Sequence, residues 1–178
     1  MGKVLLIVTG SIAAYKSLDL IRLLQQNHNQ VTVVLTQSAK SFVTPMACAA
    51  ISGNKVYDDL FSLTDEQEMG HINLTRGHDV IVVAPASADI LAKMAHGMAD
   101  DLASTLLLAN DKPVIVAPAM NHMMWSHPAT TRNVVQLKAD GVEFVDPVEG
   151  ELACGEEGLG KLAPIEVIAQ TINMKLAS

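Results

Sequence analysis

The fold is indicated by residues 4–14, which read VLLIVTGSIAA. Five aliphatic residues come first, and the chain then passes through a single glycine, Gly10, into small residues that begin with Ser11. A short, continuous aliphatic run is typical of a parallel strand that is covered on both faces. The small residues that follow are compatible with the start of a helix. Residues 4–14 therefore predict a strand, a tight turn and a helix in succession.

The same alternation is repeated along the chain. Aliphatic runs lie at residues 4–8, 31–35, 80–84, 113–117 and 142–145. Helix-compatible stretches lie at residues 11–27, 38–52, 87–110, 121–139 and 164–176. Strands that alternate with helices predict right-handed βαβ units. We therefore expect an α/β protein over residues 1–178, with a single-domain, three-layer, Rossmann-like or flavodoxin-like fold and a parallel sheet. Residues 146–163, rich in Gly and Glu, are predicted to form an irregular loop that is functional or mobile.

Composition excludes several classes of protein. Of the 178 residues, 49% are hydrophobic and 17% are charged, which argues against intrinsic disorder. The 12 basic and 19 acidic side chains give a net charge of −7, so we expect no nucleic-acid partner. The apolar runs are too short for a signal peptide or a bilayer span. We therefore expect a soluble, cytoplasmic protein with no membrane partner.

The cysteines and histidines predict no metal site. Cys48 and Cys154 give neither a disulfide framework nor metal-ligand spacing, and none of the six histidines belongs to an H-E-x-x-H motif. His71 precedes the third predicted strand, and its role is open between structural and functional. Cys154 lies in residues 153–161, which read ACGEEGLGK. Nearby glutamates disfavour a thiolate, so a functional Cys154 suits a proton donor; the alternative is a small buried residue.

The predicted carboxyl ends of the strands carry the candidate ligand site, because ligands of open α/β sheets bind there. After the first strand, free N–H groups at Gly10 and Ser11 suit a phosphate, or else Gly10 forms only a tight turn and Ser11 a helix cap. Neither the dinucleotide nor the P-loop fingerprint is present. After the second strand there is no acidic residue, which disfavours NAD. Thr36 and Ser38 suit a phosphate there, or Ser38 caps the following helix.

Small, proline-containing turns follow the next two predicted strands. Residues 84–89 read APASAD and make Ser87 a natural N-cap, and residues 117–121 read APAMN. Turns of this kind let a flat ring approach the backbone closely. Together the four strand ends describe a crevice of mononucleotide size, although each of them is also compatible with an ordinary strand–helix turn.

These segments together resemble the flavin-containing cysteine decarboxylases, from residue 3 to about residue 163. Five segments carry the resemblance: GSIAAYK at 10–16, MGHI at 69–72, PASAD at 85–89, PAMN at 118–121 and ACG at 153–155. The resemblance implies FMN as the cofactor, bound at a subunit interface of a homotrimer that sometimes assembles into a dodecamer. It also implies a small-molecule substrate, phosphopantothenoylcysteine, which is converted to 4′-phosphopantetheine in coenzyme A biosynthesis.

The resemblance also implies the steps of the reaction and the residues that take part in them. Oxidation of the substrate thiol to a thioaldehyde with FMN creates the electron sink that loss of carbon dioxide needs, and decarboxylation gives an enethiol. His71 would be the active-site base, and Cys154 would donate a proton when the enethiol is reduced. Asn121 would hold the substrate carboxylate. Other implied substrate contacts are Leu152 and Ala153, in a covering flap, and Lys161.

The implied cofactor contacts fall into two groups. The phosphate of FMN would lie against the turns after the first two strands, at Gly10, Ser11, Ile12 and Ser38. The flavin ring would be lined by residues after the third and fourth strands, at Ser87, Ala88, Asp89, Ile90 and Ala119.

Four positions depart from the pattern of the family. Asp89-Ile90 stands where many members have Asn-Thr, and Asp100 stands where many have Asn. Lys161 stands where many have Arg. Because lysine presents a point charge rather than a bidentate fork, the predicted grip on the substrate is looser.

Two alternatives stay open beside this function. A peptidyl-cysteine decarboxylase of lantibiotic maturation shares the His, PAMN and Cys segments but acts on the C-terminus of a peptide. The ACGEEG segment and Lys161 favour the coenzyme A substrate over a peptide. The second alternative is a non-catalytic, flavin-binding regulatory subunit that inhibits a phosphatase. Cys154 disfavours it, because such proteins often lack this residue.

Overall fold

The protein is built around a six-stranded parallel sheet. The computed structural model describes residues 1–60, 74–151, 155 and 157–178. The strands lie in the order β3-β2-β1-β4-β5-β6, and all neighbouring pairs are parallel. The strands are β1 (Lys3–Val8), β2 (Gln30–Leu35), β3 (Val56–Tyr57), β4 (Val80–Ala86), β5 (Val114–Pro118) and β6 (Glu143–Phe144).

Helices cover both faces of this sheet. They are α1 (Lys16–Gln26), α2 (Pro45–Ser52), α3 (Ala88–Ala95), α4 (Leu102–Leu108), α5 (His122–Trp125), α6 (Pro128–Ala139) and α7 (Ile165–Ala177). Two short 3₁₀ helices, Ile12–Tyr15 and Ala39–Ser41, follow β1 and β2. A separate antiparallel hairpin is formed by β7 (Val148–Glu151) and β8 (Glu157–Lys161).

The core consists of two apolar layers, one on each face of the sheet. Along β1, Leu6 points into the layer under α1, α2 and α7, whereas Leu5 and Ile7 point into the layer under α3, α4 and α6. These side chains are fully buried. Burial on both faces explains why the strands read as solid aliphatic runs without polar alternation. The predicted three-layer α/β fold with a parallel sheet is confirmed.

Three stretches that were each predicted as one continuous helix are interrupted in the structure, because each contains a residue that stops a helix. The stretch 38–52 breaks before Pro45, which occupies the first turn of α2 behind the N-cap Thr44. The stretch 121–139 breaks before Pro128 in the same way. The stretch 87–110 breaks at Gly97, whose φ is +64°.

Two further predictions about elements are wrong. Residues 146–163 were expected to be irregular, but they contain the hairpin strands β7 and β8. The alternating glycines and charges hide these strands from a search for apolar runs. The two-residue strand β3 was missed as well, since it is too short for any periodicity. Among the described residues, no helix is long and apolar enough to cross a membrane.

Candidate functional site

A cavity of about 660 Å³ lies at the carboxyl ends of the central strands. It is formed by the segments that follow β1, β4 and β5 and by the β7–β8 hairpin. Its volume lies in the range of about 300–1,000 Å³ that is typical of small-molecule sites. Its position matches the rule that ligands of open parallel sheets bind at the carboxyl ends of the strands.

The structure brings together eight of the residues that the sequence predicted for the site. They line one cavity, and they are Gly10, Ser11, Ile12, Ser87, Ala88, Ala119, Asn121 and Lys161. His71, Leu152, Ala153 and Cys154 lie outside the described residues. The roles assigned to these twelve residues stay predictions.

Three predicted cofactor residues are not brought to the lining of the cavity. Ser38 is exposed, and Asp89 points into solvent with a side chain that is 75% exposed. Ile90 is buried in the core layer under α3. Ser38 occupies the N-cap position of the 3₁₀ helix Ala39–Ser41, as one interpretation of the sequence expected, but its side chain makes no capping hydrogen bond. Thr36 Oγ1 instead accepts the hydrogen bond from Ala39 N at 3.2 Å.

The turn after β1 is held by Ser11. Its hydroxyl accepts a hydrogen bond from Ala13 N at 3.2 Å and so caps the 3₁₀ helix. Within the described part of the chain, the N–H groups of Ser11 and Ile12 have no acceptor. Two such donors at the start of a helix, followed directly by α1, suit an anionic group.

Gly10 is required by the close approach of the first two strand ends. A Cβ at position 10 would overlap the Cβ of Ser38. The missing side chain therefore lets the turn after β2 pack against the turn after β1. This contact explains why a single glycine, without a Gly-rich fingerprint, is found at this turn.

Thr9 connects the ends of β1 and β4. Its hydroxyl donates to Pro85 O at 2.7 Å and accepts from Ser87 N at 2.9 Å, and the residue is 1% exposed. Ser87 in turn caps α3 by accepting from Ile90 N at 3.3 Å. Thr9 thus positions the turn that carries Ser87 and Ala88 at the cavity. The sequence interpretation missed this role.

An ion-pair cluster ties α3 to α4 beside the cavity. Lys93 Nζ lies 3.1 Å from Asp100 Oδ1, 3.4 Å from Asp101 Oδ2 and 3.6 Å from Asp89 Oδ2. Burial disfavours the charge on Lys93, but the hydrogen bond with Asp100 and the neighbouring carboxylates raise its pKa overall. The same hydrogen bond lowers the pKa of Asp100. The raised pKa of Lys93 and the lowered pKa of Asp100 both favour the charged forms of this pair.

Asn121 follows β5 and begins α5. Its Oδ1 accepts a hydrogen bond from Met123 N at 2.8 Å, so the side chain caps the helix. The residue also lines the cavity. A helix cap and a contact with a ligand are therefore compatible at this position.

The β7–β8 hairpin packs on the start of α5 through two glycines. Met120 N donates to Gly160 O at 3.0 Å, and a Cβ at position 160 would overlap the carbonyl oxygen of Met120. At position 158 a Cβ would lie 2.8 Å from His122 Cβ. This packing brings Glu151 and Lys161 to the cavity.

We expect Gly160→Ala to loosen the hairpin, because its methyl group has no space against the Met120 carbonyl. The free energy of unfolding should fall by about 1–3 kcal/mol, and amide hydrogen exchange should accelerate in residues 148–161. Urea unfolding and exchange mass spectrometry measure the two effects. Gly53→Ala is the control, since position 53 has a φ of +69° but a Cβ there would meet no atom within 4 Å. Equal effects of both substitutions would show that backbone strain alone is responsible.

Several residues that line the cavity were not predicted from the sequence. Tyr15 and Lys16 come from the first helical segment, and Glu151 comes from the hairpin. A signal for Lys16 was present, because it lies four positions after Ile12 and so on the same helical face. Glu151 carried no signal, since its strand was not predicted.

The described lining of the cavity fits FMN. The N–H groups of Ser11 and Ile12 suit a phosphate, while Ala88 and Ala119 leave room for a flat ring beside the backbone. In the described parts of the chain, no group of three or more His, Cys, Asp or Glu could hold a metal.

Comparisons with known proteins agree with this geometry. The chain is 46% identical over 168 residues to the coenzyme A biosynthesis bifunctional protein CoaBC of Vibrio vulnificus, a match that covers 94% of this chain and 42% of that protein. The chain thus spans about two fifths of the length of the curated relatives it matches.

Solved structures resemble the chain over its whole length. A cysteine-to-serine mutant of PPC decarboxylase, complexed with pantothenoylaminoethenethiol, superposes with a TM-score of 0.85 at 33% identity, and 99% of each chain is covered. The FMN-dependent cysteine decarboxylase SpaF superposes with a TM-score of 0.84 at 31% identity, with 100% of this chain and 98% of that chain covered. The family model described as Flavoprotein matches residues 2–177. The chain therefore belongs to the flavoprotein family, as its sequence motifs indicated.

Proposed function

We propose that the protein decarboxylates 4′-phosphopantothenoylcysteine to 4′-phosphopantetheine with FMN as cofactor, in coenzyme A biosynthesis. The observation that carries the proposal is the cavity at the strand ends, where phosphate donors, small ring-lining residues and Asn121 lie together. The similarity to CoaBC over 94% of the chain and to PPC decarboxylase over 99% supports the same substrate.

In this proposal the strand-end turns bind the cofactor. The N–H groups of Ser11 and Ile12 hold the phosphate, and Ser87, Ala88 and Ala119 line the flavin ring. Bound FMN supplies reversible two-electron oxidation of the substrate. The hairpin covers the opposite side of the cavity and excludes water from the reacting carbon atoms.

The remaining residues bind the substrate and move protons. Asn121 donates from its amide to the carboxylate that leaves as carbon dioxide, and Lys161 adds a positive charge nearby. His71 accepts the proton of the substrate thiol as the thiol is oxidised, since imidazole titrates near neutral pH. Cys154 returns a proton to the enethiol when it is reduced. The net reaction then releases carbon dioxide, takes up one proton and leaves the oxidation state of FMN unchanged.

We also propose a homotrimer in the cytoplasm. Large apolar side chains at the cavity support an interface there, because Ile12 is 58%, Tyr15 55% and Met124 49% exposed. Multi-angle light scattering at micromolar concentration should give three times the mass of the chain or a multiple of that mass. A monomer at this concentration would exclude an FMN site shared between subunits.

The function is tested by reconstitution with FMN and a substrate comparison. The purified protein should show flavin absorption bands and should release carbon dioxide from 4′-phosphopantothenoylcysteine, with 4′-phosphopantetheine identified by mass. Turnover only of a peptide that ends in cysteine would favour the peptidyl-cysteine decarboxylase. Tight FMN binding without turnover of either substrate would favour a regulatory subunit. A protein that binds no FMN would overturn the proposal.

A further inference from the structure

Two lysines at the cavity lack the carboxylate partners that other lysines of the protein have. Lys16 and Lys161 both line the cavity. Among the described residues, neither of them has a carboxylate oxygen within 4.0 Å. Five other lysines do, and they are Lys40, Lys93, Lys112, Lys138 and Lys175. In a protein with a net charge of −7, unpaired cations facing a cavity point to an anionic ligand.

The fold directs both side chains to the same space. Lys16 is the first residue of α1, and side chains at the start of a helix tilt back toward its N-terminus, which here is the cavity. Lys161 ends β8, and the end of its side chain lies over Gly150, where a Cβ would come within 3.1 Å of Lys161 Cδ and 3.3 Å of Lys161 Nζ. Gly150 therefore leaves the room that this side chain occupies.

We infer that Lys16, together with Lys161, binds the phosphate ester of the substrate. This inference rests on the proposed function. The cofactor and the substrate both carry a phosphate, but the cofactor phosphate has its own donors at Ser11 and Ile12. Lys161 ends β8, and the predicted substrate residues Leu152 and Ala153 stand shortly before this strand in the sequence. A phosphate that contacts both lysines therefore belongs to the substrate.

The charges of the cavity agree with this assignment. Besides the two lysines, Glu151 is the ionised side chain of the described lining, so the lining carries one net positive charge. A phosphate monoester carries close to two negative charges at neutral pH, and lysine is a common phosphate ligand because its ammonium group donates three hydrogen bonds. The negative charge of Glu151 repels any further anion that would bind next to it in the cavity.

The test compares phosphorylated with unphosphorylated substrate. Lys16→Met removes the charge and keeps the length of the side chain. We expect it to raise KM for 4′-phosphopantothenoylcysteine by about 10- to 100-fold, the range for a hydrogen bond to a charged group. KM for pantothenoylcysteine, which lacks the phosphate, should stay within about twofold. The Kd for FMN, measured by fluorescence quenching, should not change.

Control variants separate the phosphate contact from other effects. Lys112→Met removes one positive charge at the amino end of β5, where Lys112 Nζ lies 3.4 Å from Asp111 Oδ1, and it should leave all three constants unchanged. Lys16→Arg should restore part of the preference for the phosphorylated substrate, because the positive charge remains.

Three outcomes would overturn the inference. If Lys16→Met raises the Kd for FMN and leaves the preference for the phosphorylated substrate unchanged, Lys16 binds the cofactor phosphate. An equal rise in KM for both substrates would show a general role in substrate binding or structure. If the wild-type protein turns over neither substrate, the proposed function fails. In that case the inference is tested by calorimetry, which measures the binding of 4′-phosphopantetheine to the wild type and to Lys16→Met. Equal affinities of the two proteins would contradict the inference.

Discussion

An Asn121→Asp variant is expected to keep its fold and its FMN but to lose at least about 100-fold in kcat/KM. The reason is that the substitution replaces an amide donor with a second carboxylate. If Asn121 holds the substrate carboxylate, two negative charges meet, and a like-charge contact at an interface costs several kcal/mol. The loss should be mainly in KM, because the contact exists before the reaction begins.

The local structure makes this substitution informative. Asn121 Oδ1 accepts the hydrogen bond from Met123 N that starts α5. Aspartate offers an oxygen at the same position and is as good a helix cap as asparagine. Loss of the cap therefore cannot explain a loss of activity, and the melting temperature should stay within a few degrees of the wild type.

Steady-state kinetics and FMN fluorescence measure the effect. Asn27→Asp is the matched control, since Asn27 is exposed at the end of α1 and the substitution adds the same charge away from the cavity. Unchanged kinetics of Asn121→Asp would assign the residue to helix capping alone. An equal loss in Asn27→Asp would show that the net charge of the protein is responsible.

The central sheet could be predicted because each strand satisfies one simple condition. Residues 4–8 of β1 and all of β4 are buried, because both faces of the sheet are covered there, and these residues are all apolar. The site followed from the sheet, since parallel strands end at one edge and the turns there come together. Gly10, Ser87 and Asn121 were found in this way before any distance was known.

The remaining parts of the site depend on contacts that no local pattern records. Thr9 lies one residue after its strand, and its role exists only because the β4 turn lies within hydrogen-bond distance. The β7–β8 hairpin is set by close approach of Gly158 and Gly160 to α5 rather than by apolar alternation. Lys16 was part of a quoted motif, but that its charge is unpaired could be learned only from the positions of the carboxylates around it.

A Cys154→Ser variant is expected to carry out the oxidative half of the reaction and to stop before the reductive half is complete. The proposal assigns Cys154 the proton that the enethiol takes up. A thiol with an ordinary pKa near 8.5 can give up this proton, whereas a serine hydroxyl is far less acidic. Glu156 and Glu157 stand close after Cys154 in the sequence, and nearby anions favour the protonated form of a thiol.

Addition of 4′-phosphopantothenoylcysteine to the FMN-loaded variant should therefore bleach the flavin absorption and release carbon dioxide. The enethiol, lighter than 4′-phosphopantetheine by two hydrogens, should accumulate, and mass spectrometry of the quenched mixture identifies it. Cys48→Ala is the control, because Cys48 is a buried core residue whose pKa is raised by burial, and its loss should leave the product unchanged. Formation of 4′-phosphopantetheine by Cys154→Ser at the wild-type rate would make Cys154 a packing residue. A variant that neither bleaches nor releases carbon dioxide would place the thiol in the first half of the reaction.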